Sequence, residues 1–230
     1  MHIRYVSLYI FPEEYGRAYG SSFELHARYL CNYLRRRILG LRFKTKGFGA
    51  ILIRGCRTAN DPAYISSNRN IIVPLPFDQA RYNSLKPGEL HEFFISMLVE
   101  GLHKVARHHN IPLTEILGFV EEFRKGGYKN EWVHQSKLLR GTGLRASLLC
   151  AMDSERFTLR LKLERKGAPV FDQQILQDLP SETCFAHKFK DIVLKGRKVI
   201  VTQMFAELPG KQPLFTLDLN DLEKADAPGK

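Results

Sequence analysis

The chain has 230 residues, 44% of them hydrophobic and 26% charged, with 35 Arg and Lys against 24 Asp and Glu. That mix excludes a disordered or collagen-like polymer, and a chain this long buries roughly 70% of its unfolded surface without disulfide or metal staples. The formal net charge of +11 calls for an anionic partner, which could be nucleic acid, an acidic protein or an anionic membrane.

The opening residues, Met1-His2-Ile3-Arg4-Tyr5-Val6, lack the basic leader and long apolar run of a secretory signal. No apolar run is long enough to span a bilayer. Cys31, Cys56, Cys150 and Cys184 are widely spaced with no C-x-x-C pairing, so reduced, buried thiols and a cytoplasmic location are expected.

In chain order, His2 to Phe11 reads as a strand ended by Pro12. Ser21-Ser22-Phe23-Glu24 offers capping chemistry for a helix toward Leu39, with Leu25, Tyr29, Leu30, Tyr33, Leu34 and Ile38 at helical spacing. Gly47 to Ile53 is a second strand and Ile71 to Val73 a third, with turns between them and Pro74 and Pro76 closing the region. From Pro87 onward Leu90, Phe93, Phe94, Met97, Leu98, Leu102 and Val105 form one apolar stripe, with Glu100 and Lys104 paired on the polar side. A second helix follows Pro112, buries Ile116, Leu117, Val120 and Phe123, and ends at Lys125-Gly126-Gly127, making an αα-hairpin. Strands are then expected at Leu144–Ala151, Phe157–Glu164, Val170–Leu176, Phe185–Leu194, Lys198–Phe205 and Leu214–Leu219. Short turns between them favour an antiparallel meander.

These elements predict an α+β fold in which a central αα-hairpin packs with a C-terminal antiparallel meander and an N-terminal mixed region. The regions are a basic α/β part at 1–80, the hairpin at 81–128, the β part at 129–222 and a frayed tail at 223–230. They are read as one compact domain or two closely packed ones. Lys129 to Trp132 is either a linker or a loop, and Trp132 either a core anchor or an exposed hot spot.

Catalytic signatures are sparse. His91, His103, His108 and His109 lie along or just beyond one helix, and Glu100 precedes His103 by three residues as in carboxylate-bridged metal bundles. Such sites need two of these pairs and more carboxylates, so the histidines are read as solvated side chains and helix-end cations. There is no G-x-S-x-G elbow, and Gly141-Thr142-Gly143 and Gly47-Phe48-Gly49 are turn pieces without a phosphate-loop lysine. No metal or cofactor is expected, and enzyme is the minority reading.

The strongest signal is a segment from Leu25 to Asn60 with nine Arg or Lys and no Asp or Glu. Arg35, Arg36, Arg37, Arg42, Lys44 and Lys46 are its candidate partner-binding residues. Three consecutive arginines span about 200° of a helix surface, so at least one of Arg35, Arg36 and Arg37 must turn toward another element. With Tyr29, Tyr33, Phe43 and Phe48 interleaved, the segment could contact nucleic acid, although those aromatics fall at core positions.

His91-Glu92-Phe93-Phe94, Gly126-Gly127-Tyr128-Lys129-Asn130-Glu131-Trp132 and Phe189 to Leu194 together resemble bacterial immunity proteins of polymorphic toxin systems, between residues 85 and 205. The resemblance implies a soluble, non-catalytic α+β binder that neutralises a cognate toxin. Immunity proteins against nucleases are often acidic, whereas this chain has a sequence pI of about 9.6. Its toxin should therefore present an acidic face or not be a nuclease. The alternative is a nucleic-acid-binding protein that uses the segment 25–60.

Overall fold

The computed structural model describes residues 1–59, 61–204 and 212–225. The fold is α+β, and the chain divides into two compact units, Met1–Asn130 and Glu131–Lys230. The first holds nineteen Arg and Lys against eleven Asp and Glu, a formal +8; the second holds sixteen against thirteen. Most of the positive charge belongs to the first unit.

That unit runs β1 (Tyr5–Ile10), α1 (Pro12–Tyr15), α2 (Arg17–Leu41), β2 (Ala50–Cys56), β3 (Tyr64–Ile65), β4 (Asn70–Pro76) and α3 (Gln79–Ser84). A 3-10 turn, Pro87–Glu89, then leads into α4 (Leu90–Ala106) and α5 (Leu113–Lys125). Its sheet has the order β1-β2-β4-β3, with β1, β2 and β4 parallel and β3 antiparallel. Parallel neighbours require a crossover, and α2 supplies it between β1 and β2.

Strand alternation sorts the sheet into two faces. Val6, Leu8, Ile10, Ile51, Ile53, Ile71, Val73 and Leu75 are buried beneath α2 and α4. Phe23, Ala27, Leu30, Leu34 and Ile38 of α2 and Phe94, Leu98, Leu102 and Val105 of α4 close over them. Each such large apolar side chain contributes about 1.5–3 kcal/mol when fully buried. At Gly101 an added Cβ would lie 2.6 Å from Ile53, so glycine lets α4 sit directly on β2. The expected αα-hairpin exists, and within this unit α4 packs on β1, β2 and β4 while α5 packs on α2 and α4.

Several boundaries move for local reasons. Gly16, at φ +84°, ends α1 and opens α2 at Arg17, so Ser21 and Ser22 lie exposed inside the helix and cap nothing. Pro74 sits within β4 instead of ending it. β3 pairs with β4 only at Ile71 and Ile72, so Pro74 has no neighbour there that needs its missing N–H. Lys104 Nζ donates to the Pro74 carbonyl at 2.8 Å, reaching the sheet rather than Glu100 along the helix.

The second unit starts within β5 (Asn130–Leu139), which continues through β6 (Leu144–Met152), β7 (Phe157–Arg165) and β8 (Ala168–Asp178) as a sheet in that order. β6–β7 and β7–β8 are antiparallel, as the alternation at Phe157–Glu164 implies. There is no linker at Lys129–Trp132; the division falls after the first residue of β5. After α6 (Glu182–Phe185), strands β9 (Ile192–Lys195), β10 (Lys198–Val201) and β11 (Phe215–Asp218) form a second antiparallel sheet, followed by α7 (Leu219–Ala225).

The expected strand at Phe185–Leu194 is shorter. Cys184 and Phe185 N–H groups both bond the Ser181 carbonyl in a turn, and Phe185 and Phe189 stack on Phe157 at 3.7 and 5.7 Å. Two aromatics four residues apart on one ring suit a helical turn, not an extended strand. Phe205, the far end of another expected strand, lies outside the described residues, as do residues 226–230 of the expected tail; its first three residues end α7. No helix among the described residues is long and apolar enough to cross a membrane.

Candidate functional site

The nine cations of the acid-free segment separate into two sets. Arg28 pairs with Glu24 at 3.5 Å, and the Arg54 guanidinium lies 4.7 Å over the Phe11 ring. Arg57 donates its backbone N–H to Glu14 Oε2 at 2.5 Å and its Nη2 to the Glu14 carbonyl at 3.0 Å. Arg37 pairs with Glu122 of α5 at 3.2 Å and covers the Tyr33 ring. Arg36 donates to Asn32 Oδ1 and, at 2.5 Å, to Asn130 Oδ1.

Two of the candidate residues are thus engaged within the first unit. Arg36 is a half-buried tie inside the first unit, the inward-turning member that the helix geometry of Arg35, Arg36 and Arg37 requires. Arg37 joins α2 to α5. Arg35, Arg42, Lys44 and Lys46 are exposed, with no ion-pair partner among the described residues.

Arg42, Lys44 and Lys46 belong to a larger feature that spacing alone does not reveal. The three parallel strands begin level, with Tyr5 beside Ala50 and Ala50 beside Asn70. Backbone bonds bind the segments just before them: Ile3 N–H to Phe43 O, Thr45 N–H to Met1 O, Arg4 N–H to Gly49 O, and Gly49 N–H to Arg69 O. His2 and Lys44 form an isolated bridge, and the His109 ring lies 5.9 Å from Phe48, bringing in the end of α4.

The result is a rim at the start of the sheet carrying Arg4, Arg42, Lys44, Lys46, Arg69 and Arg107. All are exposed and without an ion-pair partner among the described residues. The contributing segments, 1–11, 25–59, 66–76 and 101–114, contain no Asp or Glu. Arg4, Arg69 and Arg107 escape a linear reading because they are single cations in apolar or turn-rich surroundings. The available signal was that their segments also lack acid.

His91, Glu100 and His103 do not assemble. Glu100 and His103 are exposed on α4. His91 Nδ1 shares a hydrogen bond with the Tyr29 hydroxyl, and its ring stacks on Tyr128 with centroids 4.4 Å apart. Burial lowers the His91 pKa, partly opposed by neighbouring Glu92, and burial raises that of Tyr29. Arg124 donates to both Glu92 oxygens, at 2.9 and 2.7 Å, and Tyr128 donates to Oε1 at 2.8 Å. Those bonds, Arg124's first, hold the Glu92 carboxyl below its ordinary range. The cluster knits α2, α4 and α5 together. Among the described residues no three His, Cys, Asp or Glu side chains are placed to share a metal ion.

Cys31, Cys56 and Cys150 are buried free thiols, and Cys184 is a half-buried one. In the second unit Trp132 is half-buried, its ring 5.9 Å from Phe157, at an open depression of about 390 Å³ lined also by Val133, Leu149 and Arg160. It contributes to the core and to the surface at once.

Comparison with protein-family models, with curated proteins and with solved structures finds no match to this chain.

Proposed function

We propose that the protein is a non-catalytic binding protein, an immunity-like inhibitor that neutralises a cognate toxin by setting its basic rim against an acidic surface. The observation that carries this reading is the acid-free rim of Arg4, Arg42, Lys44, Lys46, Arg69 and Arg107, which gathers four separate parts of the chain at one edge. Such a field steers encounter and can raise association rates by about 10- to 1,000-fold. Rim charges act mainly on the on-rate, whereas aromatic and arginine anchors set the off-rate.

The test is capture from the lysate of the protein's own host, after nuclease digestion, with wild type and with a Lys44→Glu, Lys46→Glu variant. The reading expects one discrete protein, encoded beside this chain and toxic when expressed alone, retained by wild type and released by the variant. Retention of that protein by both would remove the rim from the account.

A second reading, nucleic-acid binding, is favoured by one feature. The sheet face turned away from α2 and α4 carries Tyr5, Tyr9 and Tyr64 around Arg54. It predicts an affinity that falls linearly with salt on logarithmic axes.

A further inference from the structure

We infer that this second face of the first unit's sheet is a stacking platform for single-stranded nucleic acid; the inference rests on the second reading above. The face follows from register. Gly55 approaches Ile10, Phe77 and Met97, and Gly101 of α4 abuts Ile53, so even positions of β1 and odd positions of β2 face the helices. Tyr5, Ser7 and Tyr9 of β1, Leu52 and Arg54 of β2 and Ile72 of β4 therefore share the opposite face, together with Tyr64 of β3 opposite Ile72.

Helices α2 and α4 pack on the other side; on this one Ile72 is buried, and Tyr5, Ser7, Tyr9, Leu52 and Arg54 keep part of their surface accessible. Parallel sheets ordinarily have both faces covered, so a face that keeps tyrosines and an arginine partly accessible is informative. Tyr5, Tyr9, Phe11, Leu52 and Arg54 are half-exposed and Tyr64 is 43% exposed. Tyr9 sits close enough to Arg54 and Tyr64 to feel both electrostatically.

The chemistry selects the occupant. Three tyrosines on one sheet face supply aromatic rings of the kind on which bases of any sequence stack. Arg54 stands mid-sheet over Phe11 with no carboxylate partner, and its Nε has no hydrogen-bond acceptor among the described residues. None of the strand positions on this face is Asp or Glu, and Glu24 of α2 acts on Tyr9 only as a lesser influence than Arg54. The rim cations Arg4 and Arg69 directly precede Tyr5 and Asn70, so phosphates could be held at the strand starts while bases lie across the tyrosines. A duplex hides its base faces and could use the rim alone.

The test is fluorescence anisotropy with a fluorescein-labelled 15-nucleotide oligo(dT) and a labelled 15-base-pair duplex. Four proteins are compared: wild type, Tyr64→Ala, Tyr5→Ser with Tyr64→Ala, and Lys44→Glu with Lys46→Glu. The inference expects the single strand to bind at least tenfold tighter than the duplex. Each tyrosine removed should weaken it about 5- to 100-fold, while circular dichroism and melting stay unchanged for Tyr64→Ala. Photocrosslinking of wild type to a 4-thiouridine oligonucleotide should label Tyr5, Tyr9 or Tyr64, a readout independent of any variant's folding.

Equal binding of both probes, lost in the lysine variant but kept in the tyrosine variants, would overturn the platform while leaving the nucleic-acid reading intact. No binding of either probe at low salt would overturn both. A concentration-dependent dimer abolished by Tyr64→Ala, or loss of the captured protein partner from the same variant, would give the face to a second copy or to that partner instead.

Discussion

Arg36 and Asn130 stand 94 positions apart and are joined by a 2.5 Å hydrogen bond from guanidinium to side-chain carbonyl. The bond is one edge of a small network. Asn130 Nδ2 donates to the Tyr29 carbonyl at 2.9 Å and to Asn32 Oδ1 at 3.1 Å, and Arg36 reaches the same Asn32 oxygen. Asn32 and Asn130 are almost wholly buried, at 7% and 2% exposure. An arginine drawn from the most basic stretch of the chain thus fastens α2 to the first residue of β5.

Arg36→Ala should leave two buried amide oxygens short of a charged donor and destabilise the first unit by about 2 kcal/mol. Arg36→Lys keeps the charge but loses the forked geometry that serves both asparagines, and should cost about 1 kcal/mol. Urea denaturation of both variants checks this. A surface arginine would show less than about 0.5 kcal/mol for either change.

The Gly101 contact makes a second prediction. In an exposed helix Gly→Ala stabilises by about 1 kcal/mol. Here the new methyl meets branched carbons of a fully buried Ile53 at 2.6 Å. Gly101→Ala should therefore destabilise, by about 1–3 kcal/mol of overpacking, and Ile53→Ala in the same chain should relieve part of that loss. The midpoint of thermal or urea unfolding for the single and double variants reads both effects.

His91 gives a pH dependence. Burial lowers its folded pKa below the ordinary value of 6.5. As pH falls through 6.5 the unfolded chain takes up a proton before the folded chain does, so stability must fall across that window and continue falling to the folded pKa. Glu92 is also depressed, chiefly by Arg124, but its contribution is kept until pH drops below the ordinary carboxylate range. Unfolding midpoints at pH 7.5 and 5.5 should differ in wild type and converge in His91→Gln. Equal slopes would mean that His91 titrates as in the unfolded chain.

Legibility in the sequence followed the physics of each element. Phe157 to Glu164 alternates because one face of β7 is buried and the other is solvated, and the α4 stripe is regular because the helix lies on a sheet. β5 was missed because Glu131, His134, Gln135, Ser136 and Lys137 leave it without alternation, and it is largely exposed. The α2 start was misplaced because Gly16, through its positive φ, overrides the capping serines. At the candidate site the acid-free segment was visible, and Lys44 and Lys46 stand on the rim. What a linear reading could not supply was the level start of three parallel strands, which adds Arg4 and Arg69, the approach of the end of α4, which adds Arg107, or which of the three consecutive arginines turns inward.

Charge reversal on the rim should be nearly silent in stability. Lys44→Glu with Lys46→Glu alters two exposed side chains that have no ion-pair partner among the described residues, so the unfolding free energy should change by no more than about 0.5 kcal/mol per site. Circular dichroism melting of the variant verifies this before any binding experiment is read.

Stopped-flow association with the captured partner across ionic strength reads out whether the rim steers an acidic partner. With steering by the rim, the wild-type on-rate falls steeply as salt rises, and the Lys44→Glu, Lys46→Glu variant associates at least tenfold more slowly at low salt with a flattened salt dependence. The same on-rate and salt slope for both proteins would contradict it.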